Sequence, residues 1–388
     1  MKSIPGLPAD TTGSTLPDPG PDARAHSLRL LSALGAQILA QGGWIGFDRY
    51  MQRALYEPGL GYYAAKPAKI GTRGDFVTAP EISPLFARTL AAQVVQAFTW
   101  LPPRLLEFGA GSGALARDML LELARLGCTL ESYRIVEVSP DLRSVQQARL
   151  HDPAFQWLDA PPHDFQGVII ANEVLDVMPV KLFVKRDGRT LERGVTMDEA
   201  GLRLAERPAC AELAEAVARI ETDLGPLPDG YGSEVGLLAR AWSATLGQWL
   251  QRGVALLIDY GFPRREYYHP QRAMGTLMCH YRHRAHADPL WLPGLNDITA
   301  HVDFSAIAEA AGGAGLQVLG YTSQARFLLN CGLLDLLREP ASAGRTAEAV
   351  RLLSEAEMGE LLKVLAVGRD VPGPLLGFSE GDRSQRLP

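Results

Sequence analysis

The sequence predicts an α/β protein: an open, parallel, Rossmann-like sheet carrying an N-terminal helical cap and an inserted subdomain of antiparallel β-structure and helices. Three observations lead there. Apolar runs at Arg104–Phe108, Arg134–Val138 and Val168–Ala171 each end in a polar turn, as strands buried on both faces do. The first of these turns places glycine at alternate positions, Gly109, Gly111 and Gly113, and then becomes helical. From Lys181 to Glu206 the pattern changes to short alternations split by Asp187-Gly188 and Ala200-Gly201, which marks antiparallel hairpins.

Taken in order, residues 1–22 are rich in Pro, Gly, Asp and Thr, and a disordered tail is expected. They have neither the apolar centre of a signal peptide nor the Arg-rich amphipathicity of a transit peptide. The cap, residues 23–100, has helical spacing at Leu28–Ala40, Phe47–Leu55 and Pro84–Phe98. Within it, the Gly- and Pro-rich run Glu57–Pro80 reads as an active-site loop, since long irregular loops are usually functional. The sheet core begins near Leu101 and occupies 101–180. The insertion, 181–252, has strands at Lys181–Arg186, Thr190–Thr196 and Leu202–Glu206, then helices at Ala209–Leu224 and Glu234–Gln251. Val254–Asp259 returns to the sheet. Residues 253–388 complete the core, with strands at Leu316–Tyr321 and Pro374–Phe378, helices at Phe304–Ala311 and Gln324–Leu337, and further helices before Leu365.

Composition narrows the function classes. A chain of 388 residues, 47% hydrophobic, can bury a sizeable core. Its net charge of −6 gives no general attraction to nucleic acid or to an anionic membrane. No apolar stretch approaches the ~20 residues of a bilayer span, so no membrane insertion is expected. Cys128, Cys210, Cys279 and Cys331 lack paired spacing, which fits a reducing, cytoplasmic setting. In CHYRHRAH, Cys279, His280, His283 and His286 crowd together. Arg282 and Arg284 interrupt them and no second ligand cluster exists, so the segment reads as a basic loop near the active-site mouth and no metal is expected.

The glycine loop is a nucleotide-cofactor loop. Alternate glycines let a ligand approach the backbone closely, and the helix that follows offers unpaired N–H groups. With Ala114 the run formally meets the dinucleotide fingerprint, yet Glu107, two residues before Gly109, would repel a pyrophosphate. A carboxylate there can instead receive the ammonium of S-adenosylmethionine. Glu137, at the next strand tip, can accept both ribose hydroxyls, and Ser139 is placed to cap the helix opened by Pro140. Gly109, Ala110, Gly111 and Gly113, the turn Glu137-Val138-Ser139, and Leu158 or Asp159 beside the base complete the expected cofactor contacts.

This arrangement resembles the class I S-adenosylmethionine-dependent methyltransferases. The runs YEPGLGYYA (56–64), GDFVTAPEISPLF (74–86), NEVLDVMPV (172–180), LLIDYG (256–261), NDITAHVDF (296–304) and MGELLKVL (358–365) are similar to the MidA-like family, from about Trp44 to Phe378. Ala79, where serine is expected, and Met178, where alanine or leucine is commoner, depart from its pattern. The resemblance implies methylation of a protein, on an arginine side chain, with a respiratory NADH dehydrogenase subunit as partner. It leaves open a homodimer, and also an assembly factor that binds the cofactor with little catalysis.

Methyl transfer to arginine asks for paired carboxylates, because a guanidinium with a pKa above about 12 is oriented rather than deprotonated. Glu173 is the first choice to hold it. Asn172 is expected to touch the cofactor's methionine end through its amide, and Asp176 to cap the turn or support Glu173. Glu81 and Glu234 are candidates for substrate contact or for structural salt bridges. Tyr260 and Tyr62-Tyr63 are candidate walls for the cation or ordinary core aromatics.

Overall fold

A computed structural model of the chain describes residues 16–65, 78–339, 344–355 and 357–388. We number the strands of its main sheet β1 (Arg104–Phe108), β2 (Ser132–Val136), β3 (Phe155–Leu158), β4 (Phe165–Asn172), β5 (Leu250–Phe262), β6 (Gln317–Ser323) and β7 (Leu362–Arg369). Their order across the sheet is β6-β7-β5-β4-β1-β2-β3. Strands β1 to β5 run parallel to one another, and β7 lies antiparallel between β5 and β6. The order reverses between β1 and β4, so the turns after both strands open into one crevice, where open α/β sheets bind ligands.

Both faces of the sheet are covered, which is why its strands are apolar almost throughout. Leu105, Ile170, Leu256 and Val364 point to one side, against the helix Pro84–Phe98 and the helix Ala114–Arg125. Leu106, Ile169, Leu257 and Leu365 point to the other, against Leu237–Trp249 and Phe304–Gly313.

Pro21–Ala40 and Phe47–Tyr56 form a second lobe with the strands of the insertion, whereas Pro84–Phe98 of the expected cap and Leu237–Trp249 of the expected insertion pack on the main sheet. Ile45–Gly46 pairs with the hairpin strand Arg189–Asp198, in a sheet that also holds Lys181–Arg186, Gly201–Pro208 and Gly232–Val235. Leu30, Leu34, Phe47 and Tyr50 share one core with Leu182 and Val195. A three-stranded sheet, Met278–Tyr281, Arg284–His286 and Asp297–Thr299, adds Cys279 and Ile298 to that core.

Several expectations are corrected. The first helix is Pro21–Ala40: it starts at a proline within the stretch expected to be a tail, because proline is pre-set for the first helical turn. Residues 1–15 of that tail, and 66–77 of the expected active-site loop, lie outside the described residues. Glu234 is on a strand, with Gly236 capping a helix that begins only at Leu237. The expected helix Gln324–Leu337 is two helices broken at Gly332, whose φ of +88° suits glycine. Pro374–Phe378 contains a 3₁₀ turn, not a strand. The last strand is instead Leu362–Arg369, buried on both faces, within a stretch expected to be partly helical. CHYRHRAH forms a hairpin rather than a loop, with Arg282 and His283 at positive φ in its turn.

Candidate active site

Sheet register builds the site. Phe108 is paired with Ala171, and Asn172 with Ile258, so the glycine loop, the NEVLDV turn and Asp259 emerge side by side. They open on a cavity of about 1590 Å³, larger than the roughly 300–1,000 Å³ of an ordinary small-ligand site and with room for a second reactant.

On the loop side, Gly109, Gly111 and Gly113 have φ of +62°, +54° and +80°. A Cβ on Gly109 would stand 3.0 Å from Val174 Cγ2, and one on Gly113 would stand 3.2 Å from Leu150. Ala110 lines the cavity between them. Glu107 is 2% exposed and accepts the Tyr133 hydroxyl at 2.7 Å; burial pushes its carboxyl up to about 7. Glu137 accepts the Ser139 N–H and the Gln146 amide, both at 2.9 Å, and burial raises its pKa too. Gln146 also donates to the Gly111 carbonyl at 2.9 Å, tying that carboxylate to the glycine loop. Ser139 caps Pro140–Arg149 and donates its hydroxyl to the Tyr63 carbonyl at 2.7 Å. Val138 lies exposed along the cavity, and Asp159 stands at its outer edge, paired with Arg143 at 2.6 Å. Leu158 is not on the cavity; its side chain packs into the core beneath the sheet.

Opposite the loop, carboxylates gather. Glu173 takes φ +52°, held by its N–H to the Ile258 carbonyl at 2.8 Å. Its Oε1 accepts the Ala79 N–H at 3.4 Å and the Asn172 amide at 3.2 Å. Burial, then the charge of Asp259, pushes its carboxyl up to about 8. Asp176 is 5% exposed and well above the usual carboxylate range, through burial and then the charges of Asp259, Glu173 and Asp297. Among the described residues, Asp176 Oδ1 and Asn172 Oδ1 have no hydrogen-bond partner. Asp259 plays the structural part: its Oδ2 accepts the N–H groups of Val174, Leu175 and Asp176 at 3.1, 2.8 and 3.3 Å, and its Oδ1 that of Tyr260 at 2.8 Å. Those four bonds hold the carboxylate-bearing turn in place.

The remaining candidates divide. Glu81 lines the cavity beside the glycine loop, where the Ser112 hydroxyl donates to it and Arg149 lies 3.7 Å away. Tyr63 and Tyr260 line the cavity, whereas Tyr62 is wholly buried in the core. Glu234 is not brought to the cavity; it sits behind the wall, accepting Tyr267 and Thr276 donors at 2.5 to 2.8 Å. Cys279 is buried in the core and His286 meets Asn296 at 3.2 Å, while His280 lines the cavity. Among the described residues no group of three or more His, Cys, Asp or Glu side chains is disposed to hold a metal ion. Asp297 and His301 also line the cavity. Both lie in the run NDITAHVDF, and their distance in sequence from every other site residue hid them.

The comparisons with known proteins fit this geometry. A family model of S-adenosyl-L-methionine-dependent methyltransferases matches residues 89–322. The chain belongs to that family. It is similar to a Burkholderia thailandensis protein whose crystal structure contains S-adenosyl-homocysteine: 51% identity, 96% of this chain and 100% of that one, TM-score 0.91. It is 28% identical to the Danio rerio "Protein arginine methyltransferase NDUFAF7, mitochondrial", over 85% of this chain and 82% of that protein. It is 29% identical to the Drosophila melanogaster homologue, over 96% and 94%.

The fold is that of a class I methyltransferase, and the cofactor is S-adenosylmethionine. The glycine cradle, with Gly109, Gly111 and Gly113 all at positive φ, the unpartnered Asn172 Oδ1 and the carboxylates of Glu107 and Glu137 suit its methionine and ribose parts. When bound, it supplies a methyl group on a sulfonium. The chain then has to hold the nucleophile, exclude water and accept a proton.

Proposed function

We propose that this methyltransferase acts on an arginine side chain of a protein, a subunit of a respiratory NADH dehydrogenase being the leading candidate, in the cytoplasm. The observation that carries the arginine reading is the cluster of Glu173, Asp176 and Asp297 facing the cavity beside the glycine loop. Among the described residues, the leading charges acting on Glu173 and Asp176 are those of other carboxylates. Buried carboxylates that face one another are costly, and a cation entering between them offsets that cost. The NDUFAF7 relatives, named as protein arginine methyltransferases, support an arginine acceptor, and four unpaired cysteines suit a reducing compartment.

A guanidinium entering the cluster remains a cation and is gripped by its planar fork. Glu173 then ionises, localises charge toward the nitrogens it holds and leaves another nitrogen free to face the glycine loop. As that nitrogen is methylated it must release a proton, and Glu173, ionised against the guanidinium, is the carboxylate placed to accept it.

Glu173→Gln tests this. It should retain cofactor affinity by calorimetry and lose several orders of magnitude in turnover, since the carboxylate holds and orients the acceptor rather than the cofactor. Methylation at the wild-type rate would refute the role. A variant that cannot methylate yet restores a deletion strain would favour the assembly-factor function.

A further inference from the structure

Asp297 belongs to a different lobe from Glu173 and Asp176, on the short strand Asp297–Thr299 paired with Met278–Tyr281. It is 2% exposed, lines the cavity, and its charge acts on both of those carboxyls. Its Oδ1 accepts the Tyr63 hydroxyl at 2.8 Å. Burial keeps that phenol protonated and therefore a donor. The Tyr63 ring has little freedom: it stacks on Tyr56 with centroids 5.6 Å apart and meets Tyr62 edge-on at 5.0 Å. Tyr56 in turn donates to the Val177 carbonyl at 3.1 Å, next to Asp176.

The backbone of Tyr63 meets the Glu137-Val138-Ser139 turn. Its carbonyl accepts the Ser139 hydroxyl at 2.7 Å, and the Ser139 N–H donates to Glu137 at 2.9 Å. A continuous series of contacts thus leads from the cofactor turn, through Tyr63, to a carboxylate in the acid cluster. One carboxylate can satisfy only part of a guanidinium, which carries five donors. A second, approaching from another lobe, fixes the plane of the fork while leaving one nitrogen uncovered.

We propose that Asp297 is a second acceptor-holding carboxylate, and that Tyr63 is a positioning residue that fixes Asp297 relative to the cofactor-binding turn. The assignment rests on the cationic-acceptor reading above. It makes the acceptor site a joint product of the two lobes, with Tyr63 at the junction.

The test uses the full chain saturated with S-adenosylhomocysteine, titrated with N-acetyl-arginine amide and, as a neutral isostere, N-acetyl-citrulline amide. Wild type should bind the arginine probe in preference to the citrulline probe. Asp297→Asn should weaken arginine binding roughly tenfold or more, as expected for a lost hydrogen bond between charged groups, with S-adenosylhomocysteine affinity unchanged. Tyr63→Phe should weaken it less, and should have no further effect in the Asp297→Asn background, a coupling that general structural damage does not produce. Unchanged arginine affinity in Asp297→Asn, while Glu173→Gln loses it, overturns the assignment and leaves the acceptor reading intact. If wild type does not distinguish arginine from citrulline, that reading fails as well. Should Asp297→Asn not fold, Tyr63→Phe decides alone, and wild-type affinity in it overturns the proposal.

Discussion

Glu173→Gln should make the protein more stable at the pH where it abolishes turnover. Among the described residues the Glu173 carboxyl accepts two donors, at 3.4 and 3.2 Å, and it faces the charge of Asp259. Folding therefore moves its pKa from the usual 4.5 to about 8. For a carboxyl shifted upward, the protonated form is the comfortable one in the native state. Its stabilising contribution is complete below pH 4.5 and is lost progressively as pH rises through 8. At about 1.4 kcal/mol per pH unit, the whole shift corresponds to a loss on the order of 5 kcal/mol. One side of Glu173 faces cavity water, which reduces this to roughly 2 kcal/mol. Gln cannot ionise and avoids the penalty. Urea denaturation of both proteins at pH 5 and pH 8.5 is the assay. Near-equal stabilities at pH 5 and an advantage of about 2 kcal/mol for the variant at pH 8.5 are expected. A wild type that gains stability over the variant between these pH values would refute the reasoning, because Glu173 would then be paired in the empty site.

Other predictions concern the cofactor side and the turn that supports it. Gly111→Val, at φ +54°, should abolish cofactor binding by calorimetry, and Glu137→Ala should weaken it by about 1.5–3 kcal/mol through lost charged hydrogen bonds. Because Glu107 titrates near 7 and receives an ammonium only when ionised, S-adenosylmethionine should bind more tightly as pH rises from 6 to 8; Glu107→Gln should flatten that dependence. Asp259→Asn should cost about 2–4 kcal/mol in chemical denaturation, since four backbone N–H groups converge on its carboxylate and the amide can accept fewer of them.

Local signals made the cofactor half of the site legible. Strand, glycine loop, acidic residue and helix cap lie within one stretch of chain, and each obeys short-range rules: positive φ for glycine, serine at the cap, proline at the first helical position. The hairpins of the insertion were legible for the same reason. Long-range geometry hid the rest. Strand β7 is antiparallel and buried on both faces, so its apolar run has no alternation to separate it from a helix. Glu234 resembled a pocket acid because nothing local shows that Tyr267 and Thr276 fold over it. Asp297 joins Glu173 only because the small sheet packs on the second lobe, a contact no local pattern encodes. The single helix expected across Gly332 erred the other way: apolar periodicity continued through a glycine whose conformation breaks the helix.

The central claim is an arginine acceptor on a protein. Incubation of the purified protein with methyl-labelled S-adenosylmethionine and a lysate from cells lacking it, followed by mass-spectrometric mapping of the label, tests that most directly. The label should appear on an arginine nitrogen, foremost in a respiratory NADH dehydrogenase subunit, and should be absent with Glu173→Gln. Label on a lysine, a nucleic acid or a small molecule would contradict the claim.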